Sequence, residues 1–132
     1  MREILFRGKR TDNGEWVEGY LYITQRGQYE ISRYSKSYDC ERHTSVVVHS
    51  TVGQYTGMTD KNGKKIFEGD IIDTPDRLVK VVWFAGNAQF DLHFIRYKDE
   101  VVITNFKGIH MRDLKEYEVI GNIHDNPELL EG

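Results

Sequence analysis

Turn-forming residues divide this sequence into short segments, and their spacing constrains the fold more than any other feature. Clusters of glycine, asparagine and aspartate recur about every 8–12 residues, which is typical of an all-β sandwich or barrel. Many segments between them alternate their side chains with period two, as β-strands do. In "WVEGYLYI", one side carries Trp16, Glu18, Tyr20 and Tyr22, and the other carries Val17, Gly19, Leu21 and Ile23. The second side is more apolar and is the predicted core face.

Strands are predicted almost throughout the chain, and the residues between them predict how they connect. The segments read as strands are "EILFRGKR", "WVEGYLYIT", "QYEISRY", "SVVVHSTVG", "DIID", "LVKVVWF", "AQFDLHFIRY", "EVVITNF" and "EYEVIGNIHD". Asn13-Gly14 predicts a two-residue hairpin turn, and "AGN" predicts a second hairpin with Gly86 or Asn87 left-handed. Residues 35–44 have no periodicity, so they predict a loop and the best candidate for a boundary.

Two helical turns are predicted near the C-terminus, one within "GIHMRDLKE" and one beginning after Asn126-Pro127. The fold is therefore predicted to be mainly β, with α+β as the alternative. We expect a small SH3-like barrel over residues 53–125, an N-terminal hairpin unit over residues 1–34 and a short C-terminal helical turn. A chain of 132 residues is long enough to form a single domain over 1–132 with its own core.

The charge and the cysteine count limit the possible partners and compartments. A net charge of −3 argues against a general polyanion binder, although it allows a local basic face. The single cysteine, Cys40, cannot form an internal disulfide, which favours a reducing compartment. The sequence shows no signal peptide and no apolar run of membrane-spanning length. The chain is therefore expected in the cytoplasm, away from membranes.

Catalytic chemistry has few candidates here. Glu68 and Asp70 are two residues apart, so on an extended chain they could share acid and base roles or hold a cation. The favoured interpretation is that Gly-Asp opens a strand and Asp70 accepts backbone N–H bonds. Cys40 and His43 are closely spaced, but the sequence has no second pair of ligands at the spacing of a zinc site. Cys40 also lacks the neighbouring residues of a catalytic triad. No catalytic residue, metal site or cofactor is predicted.

Nucleic-acid binding is the more substantial alternative. The chain has eight tyrosines, six phenylalanines and two tryptophans, and rings beside basic side chains can stack bases. The basic candidates for such a site are Arg7, Lys9, Arg10, Arg33 and Arg96. Any β domain, however, also needs aromatic residues for its core and cross-strand pairs.

Three stretches of the chain resemble the YopX family of small phage and prophage proteins. They are "MREILFRG", "QYTGMTDKNGKKIFEGDII" and "VIGNIHDNPELL". The positions that match the family motif are Gln54, Tyr55, Thr56, Gly57, Asp60, Asn62, Gly63, Glu68, Gly69, Asp70, Gly121, Asn122, Asn126 and Pro127. One departure is that Gly8-Lys9 follows Arg7, where the family often has Ala-Trp. The resemblance supplies no catalytic residues.

The resemblance implies a phage-derived protein made in a bacterial cytoplasm, with no established biochemical activity. We therefore expect a non-enzymatic accessory protein that acts by binding a protein partner, with a host protein as the candidate. Exposed strand edges favour a homo-oligomer. The alternative function is that of a small nucleic-acid-binding β-barrel.

Overall fold

A computed structural model describes residues 3–34, 41–98 and 109–131 of the chain. Ten strands are assigned: β1 Phe6–Lys9, β2 Trp16–Ile23, β3 Tyr29–Tyr34, β4 Arg42–Val46, β5 Gly53–Thr59, β6 Lys65–Phe67, β7 Asp70–Asp73, β8 Arg77–Phe84, β9 Gln89–Tyr97 and β10 Glu118–Asn122. By internal contacts the chain forms two compact units, Met1–Tyr55 and Thr56–Gly132. The division follows Tyr55, whereas the sequence favoured the 35–44 loop.

The first unit is an antiparallel sheet with the strand order β4-β3-β2-β1. The first residues of β5 continue it, because Gly53 pairs with Arg7 and Gln54 pairs with Phe6. The two residues that follow β4 return to the end of β1. Val47 forms a bridge with Arg10, and the Val48 N–H donates to the Lys9 carbonyl over 2.8 Å. The sheet of this unit is therefore curled.

Two glycines permit the curl of the first unit. A Cβ at Gly19 would overlap the Ser32 carbonyl oxygen, and a Cβ at Gly8 would lie 3.0 Å from the Cβ of Val47. Only residues without side chains let the strands approach this closely. Ile31 and Val47 fill the space and are almost completely buried. They lie on the predicted core side of β2, which is the side of Gly19.

The second unit contains the four-stranded antiparallel sheet β10-β7-β8-β9, and the later part of β5 lies beside β6. Its core is a single cluster of buried aliphatic side chains, namely Ile66, Ile72, Val79, Val81, Leu114 and Val119. Leu114 belongs to a 3₁₀ turn, Met111–Glu116, which was predicted from "GIHMRDLKE". A second 3₁₀ turn, Pro127–Leu130, begins with the predicted proline.

The predicted mainly β fold is confirmed, and the SH3-like barrel is not. The described strands form two antiparallel sheets that do not close into a barrel. The curl of the first unit was not anticipated, because it depends on long-range contacts of Gly8 and Gly19 that local periodicity does not contain. The predicted single domain over 1–132 stays a prediction.

Several local predictions were wrong. The first hairpin turn has four residues, 11–14, because Arg10 and Glu15 still pair across it. Part of the predicted loop forms β4, since β3 supplies a partner for residues that lack their own periodicity. His49, expected inside a strand, lies in the 3₁₀ turn His49–Thr51 and its ring centroid is 4.4 Å from that of Tyr29.

The second hairpin was predicted correctly except for its left-handed residue. Ala88 takes the left-handed conformation, with a φ of 50°, and is the one non-glycine residue with a positive φ among the described residues. Gly86 and Asn87 do not have a positive φ. Two predictions fall outside the described residues: the chemistry of Cys40 and the strand "EVVITNF".

Candidate functional site

The carboxylate pair of the central motif is built into the backbone. Asp70 opens β7 and is 1% exposed, and its Oδ2 accepts the N–H of Phe67 over 2.8 Å. Gly69, between the two acids, has a φ of 94°, a conformation that favours glycine. Glu68 is half-buried. This is the arrangement of a tight turn into a strand, with Asp70 as an acceptor for its backbone.

Asp60 is a buried carboxylate of the motif that accepts three backbone N–H groups. Its Oδ1 accepts the N–H groups of Asn62 and Lys64, both over 2.9 Å, and its Oδ2 accepts the N–H of Val119 over 3.0 Å. Burial alone would raise the pKa of Asp60, but these donors and the charge of Lys64 outweigh it and lower the pKa below its ordinary value. Asp60 therefore ties its own turn to β10.

The C-terminal motif positions form a second hydrogen-bonded turn. The Oδ1 of Asn122 accepts the N–H groups of His124 (3.0 Å) and Asp125 (2.9 Å). The Oδ1 of Asn126 accepts the N–H of Asn122 over 3.2 Å and lies so close to Gly121 that a Cβ there would overlap it. Pro127 then begins the last 3₁₀ turn.

The remaining motif positions belong to strand β5 and the turn after it. Tyr55 is buried, and its N–H donates to the Leu5 carbonyl over 2.8 Å. The hydroxyl of Thr56 donates to the Ile66 carbonyl over 2.8 Å. Gly57 and Gly63 both have a positive φ, and Gly63 completes the Asn-Gly turn. The motif thus serves geometry at each of these positions.

The comparisons with known proteins give a family and a fold for this chain. A family model described as YopX protein matches residues 5–131. This chain belongs to the YopX family. Among solved structures, it is similar to the crystal structure of protein EF1440 from Enterococcus faecalis, with 24% identity, a TM-score of 0.56, and coverage of 99% of this chain and 100% of that chain. At that identity the likeness shows the fold alone. No curated protein matches the YopX chain.

Four of the five basic residues predicted for nucleic acid belong to the first unit and one, Arg96, belongs to the second. Arg7 and Lys9 lie beside Trp16, with the Arg7 guanidinium 4.7 Å and the Lys9 ammonium 5.5 Å from the ring centroid. Arg7 is only 8% exposed. The guanidinium of Arg10 forms a bidentate pair with Asp12, with contacts of 3.0 and 2.7 Å. That pair lowers the pKa of the Asp12 carboxyl, chiefly through the side-chain hydrogen bonds.

The other two predicted basic residues lie elsewhere. Arg33 is exposed on β3 but points to the side opposite Ser32 and Arg7, as strand alternation and the pairing of Tyr20 with Ser32 require. Arg96 lies on β9 in the second unit, and its Nε is buried without a hydrogen-bond partner. Of the five, only Arg7 and Lys9 are therefore adjacent on one side of the first unit.

The first unit has an exposed tyrosine platform that the charge-based reasoning missed. Tyr20 and Tyr22 project from the same side of β2 and are 62% and 57% exposed. The alternation of "WVEGYLYI" had already placed them together, away from the core. Beyond Tyr22, the turn between β2 and β3 forms an open hollow of about 420 Å³ lined by Tyr22, Thr24, Gln25, Arg26 and Gln28.

The second unit has an aromatic hairpin tip, residues 81–90, in which β8 turns into β9. These ten residues carry no charge, in a chain of which 30% is charged. Trp83 and Phe84 are 48% and 40% exposed although successive strand residues point to opposite sides. The Trp83 ring meets Phe90 edge-on, with 5.1 Å between their centroids. Both sides of the tip therefore present aromatic surface to solvent.

An acidic cavity of about 260 Å³ also lies in the second unit, beside Asp76, Arg77, Asp113, Glu116 and Tyr117. The buried Arg77 guanidinium binds Asp76 in a bidentate pair of 2.9 and 2.7 Å, which lowers the pKa of the Asp76 carboxyl. Burial, followed by the charge of Asp113, raises the pKa of the Tyr117 phenol. Arg77 thus neutralises one of the three acids.

In residues 3–34, 41–98 and 109–131, no group of three or more His, Cys, Asp or Glu side chains is arranged to hold a metal ion. Within the same residues, no helix is long and apolar enough to cross a membrane.

Proposed function

We propose that this YopX protein is a non-enzymatic phage or prophage accessory protein that acts in a bacterial cytoplasm by binding a protein partner. The observation that carries the proposal is the aromatic hairpin tip at residues 81–90. Exposed tryptophan and phenylalanine without nearby charge are the residues that protein interfaces use at their centres. Single exposed apolar residues are common on protein surfaces, whereas here two large exposed rings follow one another in a ten-residue segment without charge.

The geometry of the tip suits insertion into an apolar hollow of a partner. Trp83 and Phe84 lie on opposite sides, so a partner must enclose the tip to bury both rings. Each ring buries on the order of 150–250 Å² when fully covered. Removing an exposed ring from this tip should cost binding rather than folding, because neither side chain belongs to the buried core cluster.

The placement of the motif carboxylates supports a non-enzymatic role. Asp60 and Asp70 are buried, and their carboxylates accept hydrogen bonds from backbone N–H groups. A general acid or base instead needs an oxygen within hydrogen-bond reach of a substrate proton. These two aspartates are thus better suited to fixing turns than to moving protons.

The experiment is a paired capture from nuclease-treated bacterial lysate with immobilised full-length protein. Wild type should retain a defined protein that the Trp83→Ser/Phe84→Ser double variant loses. Phe94→Ser is the matched control, because Phe94 is an equally exposed aromatic residue of β9 outside the tip. Equal retention by wild type and the double variant, or no retained protein at all, would refute the proposal. Circular dichroism of all three proteins verifies that they fold alike.

Self-association is part of the proposal and has a separate support. Among the described strands, β4 and β10 end the strand orders of their sheets, and terminal strands offer backbone groups to a second chain. Light scattering across a hundredfold concentration range should give a mass above that of one chain. A monomer at every concentration would remove the homo-oligomer while leaving the hairpin proposal to its own test.

A further inference from the structure

We infer that the hollow at the β2–β3 turn of the first unit, together with the tyrosine platform, is a binding site for single-stranded nucleic acid. The site lies in Met1–Tyr55 and is independent of the hairpin tip proposed to bind protein. Its elements are the exposed rings of Tyr20 and Tyr22, the amides of Gln25 and Gln28, and the guanidinium of Arg26.

The hollow is open to solvent and has room for one unpaired base. Its volume of about 420 Å³ lies within the range of small-molecule sites, which is about 300–1,000 Å³. Tyr22 is one of the lining residues and is 57% exposed, so a base that enters the hollow has an accessible aromatic ring beside it. Tyr20 precedes Tyr22 by two residues on the same side of the strand, about 7 Å away along it. A second, neighbouring base can therefore stack on Tyr20.

The polar groups of the hollow match the edges of a base and its phosphate. Glutamine amides both donate and accept hydrogen bonds, as the Watson–Crick edges of bases do. Arg26 is the charged residue of the lining, and a guanidinium pairs well with phosphate oxygens. The carboxylate of Glu30, on the adjoining strand, accepts a hydrogen bond from the Gln28 Nε2 over 3.1 Å and is not part of the lining.

The distribution of charge between the units also favours an anionic ligand on the first one. Residues 1–55 contain eight Lys and Arg against seven Asp and Glu, whereas residues 56–132 contain ten against fourteen. A polyanion is therefore repelled less by the first unit than by the second. Two acids lie near the tyrosine platform, Glu18 on β2 and Glu30 on β3. Electrostatic attraction of a phosphate is therefore confined to the turn that carries Arg26. Stacking has to supply most of the affinity.

A single strand is favoured over a duplex because stacking requires an accessible base face. Bases of a duplex stack on one another, while single strands can place them on aromatic side chains. Base–aromatic stacking tolerates any sequence, so binding should depend weakly on base identity. With one guanidinium in the hollow, the affinity should fall only modestly as salt rises, in contrast to proteins with many phosphate contacts.

The test measures fluorescence anisotropy of labelled oligothymidine and oligouridine 12-mers with the full chain at low salt. Saturable binding is expected, and Tyr22→Ala should weaken it about tenfold or more, since stacking is lost. Tyr22→Phe should keep nearly wild-type affinity because the ring remains. Arg26→Ala should weaken binding and flatten its salt dependence. Tyr97→Ala and Arg112→Ala, in the second unit, are the matched controls and should bind like wild type.

Three outcomes would overturn the inference. The first is no binding of either oligomer at low salt, and the second is equal binding by Tyr22→Ala and wild type. The third is that wild type binds no oligonucleotide but captures a protein that the Tyr22→Ala variant does not capture. That result would assign this surface to a protein partner. Circular dichroism of the Tyr22 and Arg26 variants separates a binding defect from unfolding, and two variants with different chemistry keep the test decisive.

Discussion

Replacing Asp60 by alanine should destabilise the second unit more than any change at an exposed carboxylate. The Asp60 side chain accepts three backbone N–H bonds, and one of them joins its turn to Val119, which is 59 positions further along the chain. Alanine removes all three acceptors at once. The hairpin turn and β10 would then be held only by their remaining contacts.

The size of the effect follows from the burial of each donor. The Val119 N–H is buried, so leaving it unpaired costs about 1–3 kcal/mol. The N–H groups of Asn62 and Lys64 are partly exposed and can return to water, so each costs about 0.5–1.5 kcal/mol. Because the losses overlap, we expect the free energy of unfolding to fall by about 2–5 kcal/mol. That is a large share of the roughly 5–15 kcal/mol by which domains are stable.

Urea unfolding followed by circular dichroism measures the total loss, and amide hydrogen exchange measures the local one. In wild type the Val119 amide should be protected, and in Asp60→Ala its protection should fall more than that of core amides in β8. Asp12→Ala is the control, because Asp12 is an exposed acid whose partner is Arg10. A loss below about 1 kcal/mol, or unchanged protection at Val119, would refute the reasoning.

The same carboxylate predicts a sign for the acid dependence of stability. The folded pKa of Asp60 is lowered, since its backbone donors outweigh the opposing effect of burial. Its contribution is therefore complete above the unfolded value of about 3.9 and disappears as the pH falls through the folded pKa. Unfolding free energy should decline with acid more steeply in wild type than in Asp60→Asn. Parallel acid profiles would contradict this assignment.

Three further changes test other parts of the structure by thermal and urea unfolding. Gly19→Ala should lower the free energy of unfolding by about 3 kcal/mol or more, because the new Cβ overlaps a backbone carbonyl that cannot move aside. Gly14→Ala should lower it by about 1 kcal/mol, because this position has open space and only its φ of 73° disfavours a side chain. Equal losses would contradict the close approach. Ala88→Gly should be neutral or stabilising by up to about 1 kcal/mol, whereas Ala88→Val should destabilise. Asp70→Ala should lower stability because it removes the side-chain oxygen that accepts the Phe67 N–H, and a stable variant with intact amide protection at Phe67 would argue against the structural role.

Local sequence patterns predicted those parts of the fold that depend on neighbouring residues. The alternation in "WVEGYLYI" correctly placed Gly19 on the core side of β2 and Tyr20 and Tyr22 on the other, although Ile23, predicted on the core side, is 48% exposed. Gly-Asp correctly predicted the turn into β7. Patterns could not show the curl of the first unit, because Gly19 matters only against Ser32 on another strand. They also missed β4, whose residues have no periodicity of their own.

The candidate sites were less predictable than the fold for a related reason. Basic residues were gathered by type, but Arg7 and Lys9 lie against Trp16 and Arg10 pairs with Asp12, so most of the predicted charge is already engaged. The hollow beyond Tyr22 exists only because a turn brings Arg26 near that ring. The hairpin tip could be noticed in the sequence because residues 81–90 contain no charged residue. A buried strand has the same composition, so the sequence alone did not predict that the rings are exposed.

Several of the residues predicted to match the family motif hold the fold of this chain, so we seek its function outside them. Asp60, Asn122 and Asn126 accept backbone N–H groups, and Gly121 makes room for a side-chain oxygen. A chain can therefore match the family over its length while differing at its exposed surface. The hairpin tip and the tyrosine platform both lie outside the motif positions. A relative that keeps the turns but replaces these exposed rings should consequently share the architecture of this protein and bind different partners.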